Sequence, residues 1–216
     1  LESSGIRTPQ DWQGKTFGYK GSQPPSYLAI LEATGTDRSK IEEVRVGYDP
    51  RILSEGQVDV LAVFKSNEPN ILENLGFPVT LFDPENYGVP TMGLTYIAHK
   101  DYLNDEKKTV KRFLKATIKG WEFALSNIEE TLDIIMTFAP QANREHQRFM
   151  LQQELADAQS PLTQQHGLGW MTEEQWHELY NQLLIHQALH EPFNYTTTFD
   201  PTFLEEIYDH GRLRWP

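Results

Sequence analysis

In the stretch FKSNEP, an aromatic ring at Phe64 and a carboxylate at Glu68 stand four residues apart. The run before it, VDVLAV from Val58 to Val63, reads as a strand entering a core. A carboxylate placed directly after such a strand has two uses. It can sit in the first turn of a helix, where negative charge suits the dipole and Asn67 serves as N-cap. It can also be a ligand hook, because an ionised carboxylate accepts hydrogen bonds from amine and ring N–H donors. A second candidate is the turn GYKGSQPPSYL, between a strand and a helix. In open α/β sheets, ligands sit at the carboxyl ends of strands beside free helix N–H groups. Gly21 and Ser22 leave the backbone accessible there, and Ser22 adds a hydroxyl. The same residues also read as an ordinary strand-to-helix turn with a Pro-Pro start. Tyr19, at the end of the strand, offers a stacking face. Tyr87 and Gly88 precede a further strand, where a glycine permits an unusual torsion.

Other chemistry is poorly provided for. His186 and His190 have a spacing of four, which can present two metal ligands on one helix face. No third ligand is evident, so they read as a solvated face. Neither GxGxxG nor GxxxxGK[ST] occurs, and neither does HExxH, a Ser–His–Asp arrangement or a paired acidic motif. With no cysteine in 216 residues, disulfides, thiolate zinc sites, iron–sulfur clusters and cysteine nucleophiles are excluded.

The elements that must hold these residues come in two textures. Up to about residue 98, short apolar runs alternate with helical patterns. KTFGY, IEEVRVGY, VDVLAVF, FPVTLFDP and GLTYIAH read as five strands. SYLAILEATG reads as a helix stopped by Gly35. DPRILSEG reads as a short helix with Asp49 as N-cap and Pro50 in its first position, and NEPNILENLG as a helix closed by Gly76. This alternation predicts a parallel sheet with helices on its faces. From Tyr102 on, the chain reads as helical. Val110, Phe113, Leu114, Ile118, Trp121 and Leu125 fall on one face at spacings of three and four, and Trp121, Phe123 and the aromatics of QWHELY read as core. Further helices are expected over IEETLDIIMTFA, NREHQRFMLQQELADAQ and TEEQWHELYNQLLIHQAL, the last with Thr172 and Gln175 in capping-box spacing. A final helix is expected over DPTFLEEIYDHG, stopped by Gly211.

A hydrophobic content of 38% with 12% aromatics supports a real core. The net charge of −12 and the lack of a basic stripe argue against nucleic acid and anionic lipid as partners. KKTVKR is short and reads as a solvated helix face. No apolar run reaches the ~18 residues that would span a bilayer. The opening LESSGIRTPQDW is polar, so an exported protein would be represented here in trimmed form.

Taken in order, TPQDWQGKTFGYKGS, GYDPRILSEGQVDVLAVFKSNEP, NYGVPTMG and RFLKATIKGWEFALSN resemble the periplasmic binding proteins for thiamine pyrimidine precursors and riboflavin. That family shares its domain with the eukaryotic pyrimidine-precursor synthases. The resemblance implies an α/β fold of the periplasmic binding protein-like II type. Residues 1–95 would be the second α/β lobe with its hinge entry. Residues 96–216 would be the return strand and C-terminal helices that pack on the first lobe. The first lobe's opening portion, about 100 residues of a domain-sized unit, lies outside this sequence.

The resemblance also implies roles for particular residues. Pyrimidine-binding members use a Tyr and, four residues later, a Glu to stack on and hydrogen-bond the aminopyrimidine. Phe64 and Glu68 occupy that spacing, with the stacking face kept and the hydroxyl lost. The turn at Gly21 and Ser22 would face the cleft, and Tyr87 would line it at the hinge. The expectation is a non-catalytic module for a small planar heterocycle, needing no cofactor and delivering its ligand to an ABC permease outside the cytoplasm, in the periplasm or its equivalent. Two alternatives stay open. One is the extracytoplasmic input domain of a histidine kinase or diguanylate cyclase, with the module fused to a signalling domain. The other is a synthase-like enzyme, whose cysteine-rich motif cannot exist in this chain. An exposed half-cleft with a helical tail would also permit a dimer.

Overall fold

The computed structural model describes residues 1–89, 91–186 and 188–215. Pro90 of NYGVPTMG, Gln187 of HQALH and the terminal Pro216 lie outside them. The chain divides into two compact units, Leu1–Thr91 with Glu178–Pro192 and Met92–His177 with Phe193–Pro216.

The first unit is built on strands β1 (Thr16–Tyr19), β2 (Glu42–Arg45) and β3 (Val60–Leu61), all parallel in the order β2-β1-β3. Phe17 stands opposite Glu43 and Val60, and Tyr19 opposite Arg45. Side chains alternate across a pleated strand, and the two faces follow from that. On one face Phe17, Ile41 and half-buried Tyr19, Val60 and Ala62 meet Trp12, Tyr27 and Ile30 in an aromatic-rich core. The Phe17 and Tyr27 rings stack with centroids 3.8 Å apart. On the other face Val44, Val46 and Leu61 pack with Leu53, Val58 and Leu72. Gly18 falls on this second face, where a Cβ would come within 3.0 Å of Val58 Cγ1.

Helix α1 (Pro25–Thr34) supplies Tyr27 and Ile30 to the first face and ends, as its sequence predicts, in left-handed Gly35. Helix α2 (Arg51–Ser54) begins one residue later than expected, with Pro50 in the cap position. Asp49 still serves this end, its Oδ1 accepting the Arg51 N–H at 3.0 Å. Helix α3 (Glu68–Asn74) follows β3 and carries Leu72, 1% exposed, into the second core.

Two predicted strands do not form. FPVTLFDP and GLTYIAH join no ladder among the described residues. Backbone N–H and C=O groups stay in a strand only where a neighbour satisfies them. FPVTLFDP is tied instead by turn bonds at its two ends and by one bond from the Glu2 N–H to the Pro78 carbonyl. In GLTYIAH, Leu94 and Ile97 are 87% and 93% exposed.

The second unit is mainly helical: α4 (Lys100–Asp105), α5 (Lys107–Ser126), α6 (Ile128–Phe138), α7 (Arg144–Asp157) and α8 (Pro161–His166). Helix α9 (Glu173–Ile185) starts in this unit, and its residues from Glu178 on group with the first. The predicted capping box at its start is present. Gln175 N–H donates to Thr172 Oγ1, and Thr172 N–H to Gln175 Oε1. Of the apolar face predicted for α5, Ile118 is buried, Leu114 and Trp121 are half-buried, and Phe113 is exposed. Phe123 is exposed as well, so the aromatics of this helix are only partly core. Arg144 and Arg148 of α7 pair with Asp133 and Glu129 of α6.

The last predicted helix is cut short. Helix α10 (Thr202–Ile207) gives way to a hairpin of β4 (Tyr208–Asp209) and β5 (Arg212–Leu213). His210 and Gly211, both at positive φ, form the two-residue turn. Gly211 is thus a turn residue and not a helix stop, since such tight hairpins require left-handed central residues.

Candidate functional site

In a parallel sheet the residues just past each strand gather at one edge. Here the ladder continues a little beyond the regular strands. Val46 N–H donates to the Tyr19 carbonyl and Ala62 N–H to the Gly18 carbonyl. That brings the connectors after β1, β2 and β3 side by side. The first carries Lys20, Gly21 and Ser22, the second Tyr48, and the third Phe64 to Glu68.

Glu68 is 3% exposed, although it opens a helix. Its carboxylate turns back over the connector. Oε2 accepts the Phe64 N–H at 2.9 Å, and Oε1 forms an ion pair with Lys20 Nζ. The Lys20 side chain is itself only 11% exposed. A carboxylate held this far from water needs a counter-charge and hydrogen bonds, and the two contacts supply them. Asn67 takes the N-cap position but makes no side-chain capping bond, so the cap expected from the sequence does not form through its amide.

The rings around this pair are open to solvent. Phe64 is 64% exposed and Tyr48 79%. Lys20 Nζ lies 5.6 Å from the Tyr48 ring centroid, within cation–π range. Gly21 adopts φ +67°, a left-handed torsion that favours glycine, and Gly21 and Ser22 are exposed.

The structure therefore brings Phe64, Asn67, Glu68, Gly21 and Ser22 to one edge of the sheet. Tyr19 and Tyr87 go elsewhere. Both pack, half-buried, against the aromatic core, and burial raises the pKa of the Tyr87 hydroxyl. Lys20 and Tyr48 are additions that sequence reading missed. Their signal was positional: Lys20 stands just beyond the predicted strand KTFGY, and Tyr48 is the last residue of the predicted strand IEEVRVGY.

A second charged constellation lies on the α1 face. Glu43 accepts hydrogen bonds from Tyr27 Oη at 3.0 Å, from Arg38 Nε at 2.7 Å and from Gln23. The Arg38 guanidinium holds the Glu43 carboxyl below its usual range. Every partner is intramolecular, and the set ties α1 and the loop before β2 to the sheet. His186 is not the solvated residue expected. Its side chain is 10% exposed, with Nε2 3.7 Å from Glu32 Oε2, whereas His190 is exposed. Among the described residues no three His, Cys, Asp or Glu side chains are grouped to hold a metal, and no helix is long and apolar enough to cross a membrane.

An exposed ring face, accessible backbone and a fixed pair of opposite charges thus meet at the carboxyl edge of the parallel sheet. The chain belongs to the NMT1/THI5-like family, whose profile matches residues 1–131. It is similar to the formylaminopyrimidine-binding protein of Halalkalibacterium halodurans, with 26% identity over 198 residues, 89% of this chain and 60% of the relative. It is also similar to the riboflavin-binding protein RibY of Chloroflexus aurantiacus, with 26% identity over 179 residues, 79% of this chain and 50% of the relative. The chain thus spans about half to three-fifths of the length of these curated relatives.

Proposed function

We propose that this chain is a non-catalytic solute-binding module for a small planar heterocycle of the thiamine pyrimidine-precursor type. The observation that carries the reading is the exposed Phe64 ring beside the buried Glu68 carboxylate at the carboxyl edge of the sheet. An aromatic face gives stacking, and a carboxylate with unused lone pairs accepts from a ring amine. Gly21 and Ser22 would contact substituents of the ring through backbone N–H and hydroxyl. The names of the two relatives point the same way, since aminopyrimidines and flavins are both flat and edged with hydrogen-bonding groups. Both relatives are named as binding proteins, which does not favour the sensor-domain alternative.

In this reading the protein works outside the cytoplasm and hands its ligand to an ABC permease. Residues 1–95 act as the second lobe, and residues 96–216 pack on the first. The exposed apolar side chains of Leu94, Tyr96 and Ile97 are what such packing would cover. The test is calorimetric titration of this chain, and of the full-length natural protein, with formylaminopyrimidine, hydroxymethylpyrimidine, thiamine and riboflavin. Binding of one of them, weakened at least tenfold by Phe64→Ala, supports the site. No binding of any of them by the full-length protein would overturn it.

A further inference from the structure

Glu68 does not face a ligand alone. An ammonium has three N–H donors, and Lys20 spends one of them on Glu68. Its position is fixed from two sides, by the carboxylate and by the Tyr48 ring 5.6 Å away. The carboxylate in turn spends one lone pair on Lys20 and one on the Phe64 N–H, and keeps others. The pair therefore sets an acceptor and a donor next to each other, with an exposed ring on the connector after β2 (Tyr48) and another on the connector after β3 (Phe64).

We propose that Lys20 is a specificity-determining residue of this site, and that the Lys20–Glu68 pair reads a ring edge on which a hydrogen-bond donor stands beside an acceptor. This rests on the heterocycle-binding reading above and narrows its ligand class. Glu68 accepts from an exocyclic amine or ring N–H. Lys20 donates to the neighbouring unprotonated ring nitrogen or carbonyl oxygen. An aminopyrimidine has such an edge in its amine and adjacent ring nitrogen, and an imide-type ring has one in its N–H and carbonyl. A ring with donors alone would leave Lys20 facing a like polarity. A ring with C–H in the acceptor position would leave the ammonium donors desolvated and unmade, which is the costly case for a buried polar group. Tyr48 holds the ammonium in place and offers a second exposed face.

The experiment compares two ligands on the same protein. One is 4-amino-5-hydroxymethyl-2-methylpyrimidine. The other is its benzene analogue, in which the ring nitrogens are replaced by C–H and the ring stays uncharged like the pyrimidine. Calorimetric titration of the wild type should show a preference for the pyrimidine of roughly 10- to 100-fold. Lys20→Met should erase that preference, and Lys20→Arg, which keeps the charge and the donors, should retain part of it. Tyr48→Leu, at an exposed position, should weaken the pyrimidine several-fold without loss of folding. Equal wild-type affinity for the two rings would overturn the role of Lys20 and leave the heterocycle-binding reading standing. If the wild type binds neither ring nor riboflavin, the reading itself falls and this inference with it. The ligand comparison needs no variant, so it decides the matter even if Lys20→Met does not fold.

Discussion

Replacing Glu68 by glutamine removes one charge from a pair that is almost out of water. The side chains of Glu68 and Lys20 are 5% and 11% exposed. Glutamine keeps the shape and one acceptor oxygen, which can serve either the Phe64 N–H or Lys20 but not both well. A hydrogen bond to a charged group contributes about 1.5–3 kcal/mol, and breaking a fully buried pair costs about 3–5 kcal/mol. Lys20 can swing partly toward solvent, so the expected loss is about 2–3 kcal/mol. A chain of two units need not unfold in one step, so a local probe is preferable to a global one. Phe64 N–H donates to the Glu68 carboxylate at 2.9 Å. Its hydrogen exchange should quicken by about 30- to 150-fold in Glu68→Gln, the factor that corresponds to that loss. A helix-dipole role alone would change stability by under ~1 kcal/mol, a factor of about five. Unchanged exchange at Phe64, with an unchanged urea midpoint, would refute the claim that this carboxylate is held by Lys20 and the connector.

Three further predictions concern the folding of the two units. Leu72→Ala should destabilise the first unit by about 2–5 kcal/mol in urea unfolding, since Leu72 is 1% exposed in the core between α3 and the sheet. Gly167→Ala should cost more than ~1 kcal/mol, because Gly167 holds φ +107° and a Cβ there would overlap the Tyr208 ring; the near-ultraviolet signal of the tyrosine on heating reports it. The Glu43 carboxyl is held below its ordinary range chiefly by Arg38. Its contribution to stability is therefore full above the unfolded carboxylate value and is lost as pH falls through the lower folded value. Glu43→Gln should flatten that acid limb of a stability–pH curve, and an unchanged limb would count against the Arg38–Glu43 pair.

Much of the first unit was legible because its signals are local. The short apolar runs KTFGY and VDVLAVF predict β1 and β3, and Gly35 and Gly76 predict where α1 and α3 stop. FPVTLFDP and GLTYIAH are short apolar runs of the same kind and make no strand among the described residues, because a ladder needs a partner that local sequence does not contain. The tail failed for a related reason. Gly211 can end a helix or close a hairpin, and only the pairing of Tyr208 with Leu213 decides which. Lys20 was invisible because its partner lies 48 residues away. Tyr48 was read only as the end of the strand IEEVRVGY.

The carboxylate after β3 posed two alternatives, a first-turn charge or a hook for a ligand. In the proposed reading its burial makes these inseparable. Glu68 closes the connector through Phe64, and so fixes where the Phe64 ring projects. It also fixes Lys20, and so determines which donor stands beside its own free lone pairs. A side chain that served only the helix would sit in water, as Glu85 does. One that served only a ligand would be unpaired until the ligand came, and a buried unpaired carboxylate is too costly to keep. The Lys20 pair lets the carboxylate stay buried, and in the proposed reading it adds a second group for a ligand to satisfy. On the proposed reading, recognition of a mixed donor and acceptor edge would follow from the way the Lys20–Glu68 pair is stabilised.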